Sequence, residues 1–213
     1  MSEVSPRRAG RPRTPRDRGE FVRAAREEFA AEGYAGATLE AISARLGIRR
    51  PALLHHFPSK EALYAEALHS VLAELAEVLA HAIRPGEFHE QLDALSEGLT
   101  VYLAGHPEAA GLLLAELVGP RDRTPGATTA VNVLEIAAAF LEAGMAAGEI
   151  PRQDPRDLVL SIVGLHLVCF AVPAVSARFL GESPYSPEAA ARRAGHVRVQ
   201  VRRLCGLPDS PLV

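Results

Sequence analysis

The sequence predicts an all-α fold of about nine helices, and three observations carry that prediction. No long stretch alternates apolar and polar residues as a half-buried strand would. The chain is rich in Ala, Leu, Glu and Arg, which favour helices. Clusters of Pro and Gly cut the apolar pattern into segments of helical length. At 213 residues the chain can bury a sizeable core, as one or two domains.

Residues 1–16 are rich in Pro, Arg and Gly and are expected to form a flexible basic arm. Within the arm, Ala9-Gly10-Arg11-Pro12-Arg13 resembles the core of an AT-hook, in which Arg11 would enter a narrow minor groove. The other reading is a solvated tail that adds non-specific attraction. A first helix is expected over about 17–32, with Val22, Ala25 and Phe29 inward and Gly33 stopping it.

Residues 38–60 read TLEAISARLGIRRPALLHHFPSK, which holds two short helical patterns joined by Leu46-Gly47-Ile48. That is the form of a helix-turn-helix, which places one helix in the DNA major groove. Thr38 is a good N-cap, and Leu39, Ile42 and Leu46 give the first helix a buried stripe. Gly47 can adopt the positive φ that turns the chain, and Ile48 plugs the gap between the helices. Pro51 sits in the first turn of the second helix, where its missing N–H costs nothing. Leu53 and Phe57 face inward, leaving Arg49, Arg50, Ala52, Leu54, His55 and His56 on an outward basic face.

Pro58-Ser59 breaks the chain, and Ser59 caps a long fourth helix from Lys60 to about Ile83 whose leucines bridge toward the rest of the chain. Further helices are expected over about 87–104, 108–118, 127–147, 155–180 and 187–204. The stretch 119–126 is the clearest loop, and Asp154 is the expected cap of the eighth helix. The run Leu158 to Val175 lacks Asp, Glu, Lys and Arg over 18 residues, close to membrane-spanning length. Ser161, Gly164, His166 and Pro173 interrupt it, so it reads as a core helix packed on all sides, with no membrane partner.

Net charge is −3, but its distribution is polarised. Residues 1–60 carry 12 basic and 7 acidic side chains, and residues 61–213 carry 11 basic and 19 acidic ones. DNA affinity depends on local phosphate neutralisation, so a basic head on an acidic body fits a DNA binder. The basic N-terminus has no apolar stretch of a signal peptide, and two cysteines make no disulfide framework, so a reducing cytoplasm is the expected location.

The stretch FVRAAREEFAAEGYAGATLEAISARLGI, continuing through RRPALLHHFPSKEALYAEAL, resembles the TetR family of bacterial transcription regulators. The match covers about residues 18–68. Its marks are Phe-x-x-x-Gly-Tyr at Phe29 to Tyr34, a Thr-capped helix, a Gly-hydrophobic turn, and His-x-Phe-x-x-Lys-Glu at His55 to Glu61. Leu54 stands where the family usually has a phosphate-touching tyrosine, and Ser43 where alanine is usual. The resemblance implies a helix-turn-helix domain at 17–62 and a ligand-binding and dimerisation domain at 63–213. It implies a pseudo-palindromic operator, a homodimer formed through the last two long helices, and repression relieved by a small molecule. It also implies backbone contacts by Thr38 and Lys60, both at helix N-termini where phosphates bind well.

Arg49 and Arg50 start the recognition helix, where arginine can grip guanine with two hydrogen bonds or clamp a phosphate. His55 and His56 can reach phosphate or a base edge, although His56 could equally pack on Phe57. An effector pocket would be walled by Leu99, Leu103, Leu113, Leu117, Phe140, Leu141, His166 and Phe170, each of which could equally be ordinary core. His166 is the best polar candidate, alone in an apolar stretch.

The eight histidines show no convincing metal-ligand spacing, and no cofactor is expected. Cys169 should be buried and inert, while Arg202 and Arg203 would favour a thiolate at Cys205. With no nucleophile elbow, no phosphate-binding Gly-rich loop after a strand and no His-Glu-x-x-His, an enzyme is not expected. The competing reading is a helical interaction module that has lost DNA binding, which only Leu54 favours.

Overall fold

Side chains at four helix starts fix where the chain begins to coil. Thr38 Oγ1 accepts from the Ala41 N–H at 3.1 Å, and Ser59 Oγ accepts from the Ala62 N–H at 3.1 Å. Asp154 accepts from the Arg156 and Asp157 N–H groups at 2.9 and 3.0 Å, and Ser186 from the Ala189 N–H at 3.2 Å. Each satisfies an orphan donor of a first helical turn.

A computed structural model describes residues 17–118 and 127–209. The arm at 1–16, with Arg11, and the loop at 119–126 lie outside the described residues. Ten helices are described: α1 (Arg18–Gly36), α2 (Leu39–Arg45), α3 (Arg50–His56), α4 (Lys60–Ala82), α5 (Phe88–Gly105), α6 (Pro107–Val118), α7 (Ala127–Ala147), α8 (Pro155–Ala171), α9 (Pro173–Leu180) and α10 (Pro187–Leu204). Gly33 has left-handed φ (+66°) inside α1 and kinks it, and Gly47 (φ +58°) makes the turn after α2.

The expected single helix over 155–180 is two helices, which raises the total from nine to ten. Pro173 lacks the N–H that a continuous helix needs, and its ring collides with the carbonyl four residues back. The chain therefore bends by 83° between α8 and α9. Tyr185 stabilises the bend by donating its hydroxyl to the Phe170 carbonyl at 2.8 Å and packing its ring against Phe170.

Two apolar clusters form the core. The first joins Phe21, Phe29, Ile42, Leu53 and Phe57 of α1–α3 and the turn after α3 to Leu63, Tyr64 and Leu68 of α4, then to Ala109 and Leu112 of α6 and Phe170 of α8. It runs without a gap across the junction of α3 and α4. The second joins the far end of α4 to α5, α7, α8 and α10 through Leu79, Leu92, Leu141, Ile162 and Val197. Phe88 stacks on Phe140 at 4.9 Å, and Gly144 admits the Phe88 ring, which a Cβ there would meet at 2.4 Å.

By length and composition, Ala130–Ala147 is apolar enough to cross a membrane, as is the bent pair α8 and α9 if taken together. Such helices also occur in the interior of helical proteins. The apolar run at 158–175 is partly buried on one side and bent by Pro173, not packed on all sides: Leu160 and Val168 are exposed.

Candidate DNA interface and effector cavity

The outward face of α3 exists because its inward face is fixed. Leu53 and Phe57 are buried, and Ile48 packs against the same cluster. A seven-residue helix is held in place by this packing and not by its own propensity. Ser43, buried, donates to the Leu39 carbonyl at 2.6 Å, so its hydroxyl is satisfied within α2. Arg45 ties α2 to α1 through Glu28 at 2.9 Å and Glu27 at 3.4 Å.

Thr38, Arg49, Arg50, Pro51, Ala52, His55 and His56 are exposed on one side of the head, while Leu54 and Lys60 are half-buried. Leu54 packs against the core instead of standing fully outward, because an isobutyl group gains more there than in water. His56 lies on the ring of Phe21 at 4.7 Å, not on Phe57, and this fixes one end of α3 to α1. Lys60 Nζ lies 4.7 Å from the centre of the Tyr34 ring and 3.4 Å from the Ala35 carbonyl. Tyr34 donates its hydroxyl to Glu61 at 2.7 Å, and this hydrogen bond holds the Glu61 carboxyl below its ordinary range.

The two arginines at the start of α3 differ. Arg50 is ion-paired with Glu40 of α2 at 2.7 Å, both side chains being more than half exposed. Arg49 makes no ion pair among the described residues. Glu40 thus holds Arg50 in the free protein and competes with any phosphate or base edge for it. The sequence reading missed Glu40, because a pair ten residues apart across a turn follows no helical period.

The body holds a partly open cavity of about 160 Å³ among α4–α8 and α10. Leu99, Leu103, Leu113, Leu117, Phe140, Leu141 and His166 line it. Phe170 does not: it is buried in the first core cluster beneath Tyr185. Further wall residues include Leu75, Leu95, Leu134, Ile162 and Val163, with Ser96, Glu116 and His166 as the polar groups.

His166 is fully occupied by protein. Its Nδ1 lies 2.8 Å from the Ile162 carbonyl, and its Nε2 lies 3.2 Å from the Ser96 hydroxyl and 3.1 Å from the Ser96 carbonyl. Burial pushes its pKa below the ordinary 6.5, outweighing the backbone hydrogen bonds that favour the charged ring. A neutral ring has one N–H: with Nδ1–H donating to Ile162, Nε2 accepts from Ser96 Oγ–H, and the Ser96 carbonyl takes its hydrogen bond from the Thr100 hydroxyl at 3.0 Å.

A sign follows for stability. Below pH 6.5 the unfolded chain binds a proton that the native ring resists, so this contribution is complete above 6.5 and is lost as pH falls through the depressed native pKa. Thermal unfolding followed between pH 7 and 5.5 should show stability falling by up to ~1.4 kcal/mol per pH unit from this one group. His166→Gln should flatten that slope, and an unchanged slope would remove His166 as its source.

Glu116 was missed. Its Oε2 accepts the Tyr64 hydroxyl at 2.8 Å, whereas its Oε1 is buried without a hydrogen-bond partner. A sequence signal existed: Glu116 is a lone acid inside the apolar run Leu112 to Val118. Burial and the bond to Glu116 push the Tyr64 pKa up, so its hydroxyl stays a donor.

The cysteines reverse the expected order. Cys205 is fully buried, and desolvation pushes its thiol up to about 11. Arg202 turns instead to Asp93 at 2.8 Å and the Pro208 carbonyl, and Arg203 to Asp209. Cys169 is partly exposed, not buried. Among the described residues no three His, Cys, Asp or Glu side chains converge as a metal site.

The sequence model of bacterial regulatory proteins of the tetR family matches residues 21–67. The HTH-type transcriptional repressor AcnR of Corynebacterium diphtheriae is 40% identical over 63 residues, 30% of this chain and 33% of the relative. The HTH-type transcriptional activator FasR of Mycolicibacterium smegmatis is 38% identical over 74 residues, 34% of each chain. These matches span about a third of the length of the curated relatives. The crystal structure of a TetR-like transcriptional regulator from a Rhodococcus species has a TM-score of 0.67 at 24% identity, over 91% of this chain and 100% of that one. That likeness is one of fold, and it extends through the body.

Proposed function

We propose that the chain, whose residues 21–67 match the model of bacterial regulatory proteins of the tetR family, is a sequence-specific, dimeric DNA-binding regulator acting in the cytoplasm. It represses from a pseudo-palindromic operator and is released by a small apolar effector bound in the body. The observation that carries the reading is the exposed Arg49, Arg50, His55 and His56 face on a helix whose opposite side is locked into the core. One such helix reads only a few base pairs, so two copies on a symmetric site are needed, about 34–36 Å apart.

A dimer face is supported by the exposed apolar stripe along α8 and α9. Leu160, Val168, Val175 and Phe179 are 56%, 58%, 67% and 86% exposed, and α9 buries none of its residues. Gly164 lies between the first two, with open space where a Cβ would be, so a partner helix can approach closely there. An apolar stripe of this extent marks an interaction surface. The charged α10 lies mainly against α5, so the face proposed here is carried by α8 and α9 more than by α10.

The test is selection of bound sequences from random duplex DNA by the parent and by the Arg49→Ala, Arg50→Ala variant. A two-fold symmetric motif that the variant fails to enrich is the expected result. No enrichment by the parent at low salt would favour the interaction-module reading. On the selected operator, Arg49→Ala should cost ~1–3 kcal/mol and relax preference at one base pair if it reads a base. Lys60→Ala should weaken all sequences alike and make the salt slope shallower by about one unit.

A further inference from the structure

The cavity is apolar almost throughout, so the polar groups on its wall decide which head group a ligand can carry. Ser96 and His166 satisfy each other. Glu116, about nine-tenths buried, keeps one carboxylate oxygen occupied by Tyr64 and leaves Oε1 with no partner. A buried acceptor without a donor is costly, and a ligand that supplies the donor recovers that cost. A ligand that brings a second acceptor deepens it.

We infer that the effector is a small apolar molecule carrying a hydrogen-bond donor, a hydroxyl or an amine, which bonds to Glu116 Oε1, and that carboxylate-headed molecules are excluded. This rests on the reading of the cavity as the effector site. At 160 Å³ the space is comparable with the ~150 Å³ cavities that admit a benzene-sized guest, so the ligand is of about that size. The position of Glu116 also suits a signal. Its other oxygen holds Tyr64, whose ring packs against Phe29 at 5.0 Å and Tyr34 at 4.9 Å, and Lys60 lies over Tyr34. A donor placed on Oε1 competes with the Tyr64 hydroxyl for the same carboxyl group, where the cavity wall meets the cluster shared with the DNA-binding head.

The experiment compares hexan-1-ol, hexylamine and hexanoate on the full chain, by the dependence of the unfolding temperature on ligand concentration. The parent should bind the alcohol and the amine about tenfold or more tightly than the acid, the effect of one hydrogen bond to a charged group. Glu116→Gln, which places an N–H where Oε1 stands, should lose or reverse that order. Should the amide variant fail to fold, Glu116→Leu should bind the three alike. Equal binding of hexanoate by the parent, an unchanged order in either variant, or binding of none of the three overturns the inference. Operator binding by the same preparation is measured in parallel. If it persists while the ligand order fails, this inference falls and the DNA-binding reading stands; if it is absent, that reading falls on its own.

Discussion

Val168→Glu combined with Phe179→Glu is expected to leave the protein monomeric and to weaken operator binding by about 10²–10⁴-fold. Both side chains are more than half exposed in the single chain, so charge there does not disturb the monomer's own core. In the proposed dimer each would be buried against its symmetry mate, and two-fold symmetry brings both copies' charges into one interface. The loss in operator affinity follows from multivalency: a second head held near its half-site binds as if highly concentrated, and a free monomer forfeits that gain. Sedimentation equilibrium gives the first outcome and titration of the selected operator the second. A variant that remains dimeric would remove this face as the interface. A monomer that binds the full operator like the parent would remove the need for a dimer.

Arg26→Ala is expected to destabilise the fold by about 3 kcal/mol, near the lower end of what breaking a buried ion pair costs, since Glu74 is partly exposed. Arg26 is buried in α1 and reaches Glu74 of α4 at 2.7 Å, Glu108 of α6 at 2.8 Å and the Tyr102 hydroxyl of α5 at 3.4 Å. Tyr102 in turn donates to Glu74 at 2.7 Å. Truncation leaves two carboxylates facing each other's charge with no cation between them. Because the network joins the head to three helices of the body, operator binding should change together with stability. Denaturant titration measures the loss, and a change below ~1 kcal/mol would mean that water replaces the guanidinium at little cost.

Acid should act on the same network. Burial opposes the charge on Glu74, but the hydrogen bonds from Arg26 and Tyr102 outweigh it and hold the carboxyl below the ordinary 4.5. Its contribution is therefore complete above that value and is lost as pH falls through the lowered one.

Much of the head was legible because its signals are short-range. Thr38 and Ser59 cap helices by bonds to N–H groups three residues on, and Gly47 turns the chain by its own φ. The inward spacing of Leu39, Ile42, Leu53 and Phe57 follows from helical geometry alone. The family resemblance and the basic face therefore follow from residues close together in the chain. The body was legible only as helices. A leucine at helical spacing reads the same whether it fills a core or lines a gap, and Phe170 and Phe140 differ only in what packs beside them.

By itself the sequence determined an α-helical chain with a helix-turn-helix head, its caps, its turn and its outward arginines, since each depends on residues a few positions apart. The pairing of Arg50 with Glu40, the burial of Cys205, the Arg26 network and the unpartnered oxygen of Glu116 were decided by the tertiary structure. Most of these join residues that lie far apart along the chain, as Arg26 and Glu74 do at 48 positions and Tyr64 and Glu116 at 52. Such pairs are chosen by how whole helices pack, and packing depends on the shapes of many side chains at once.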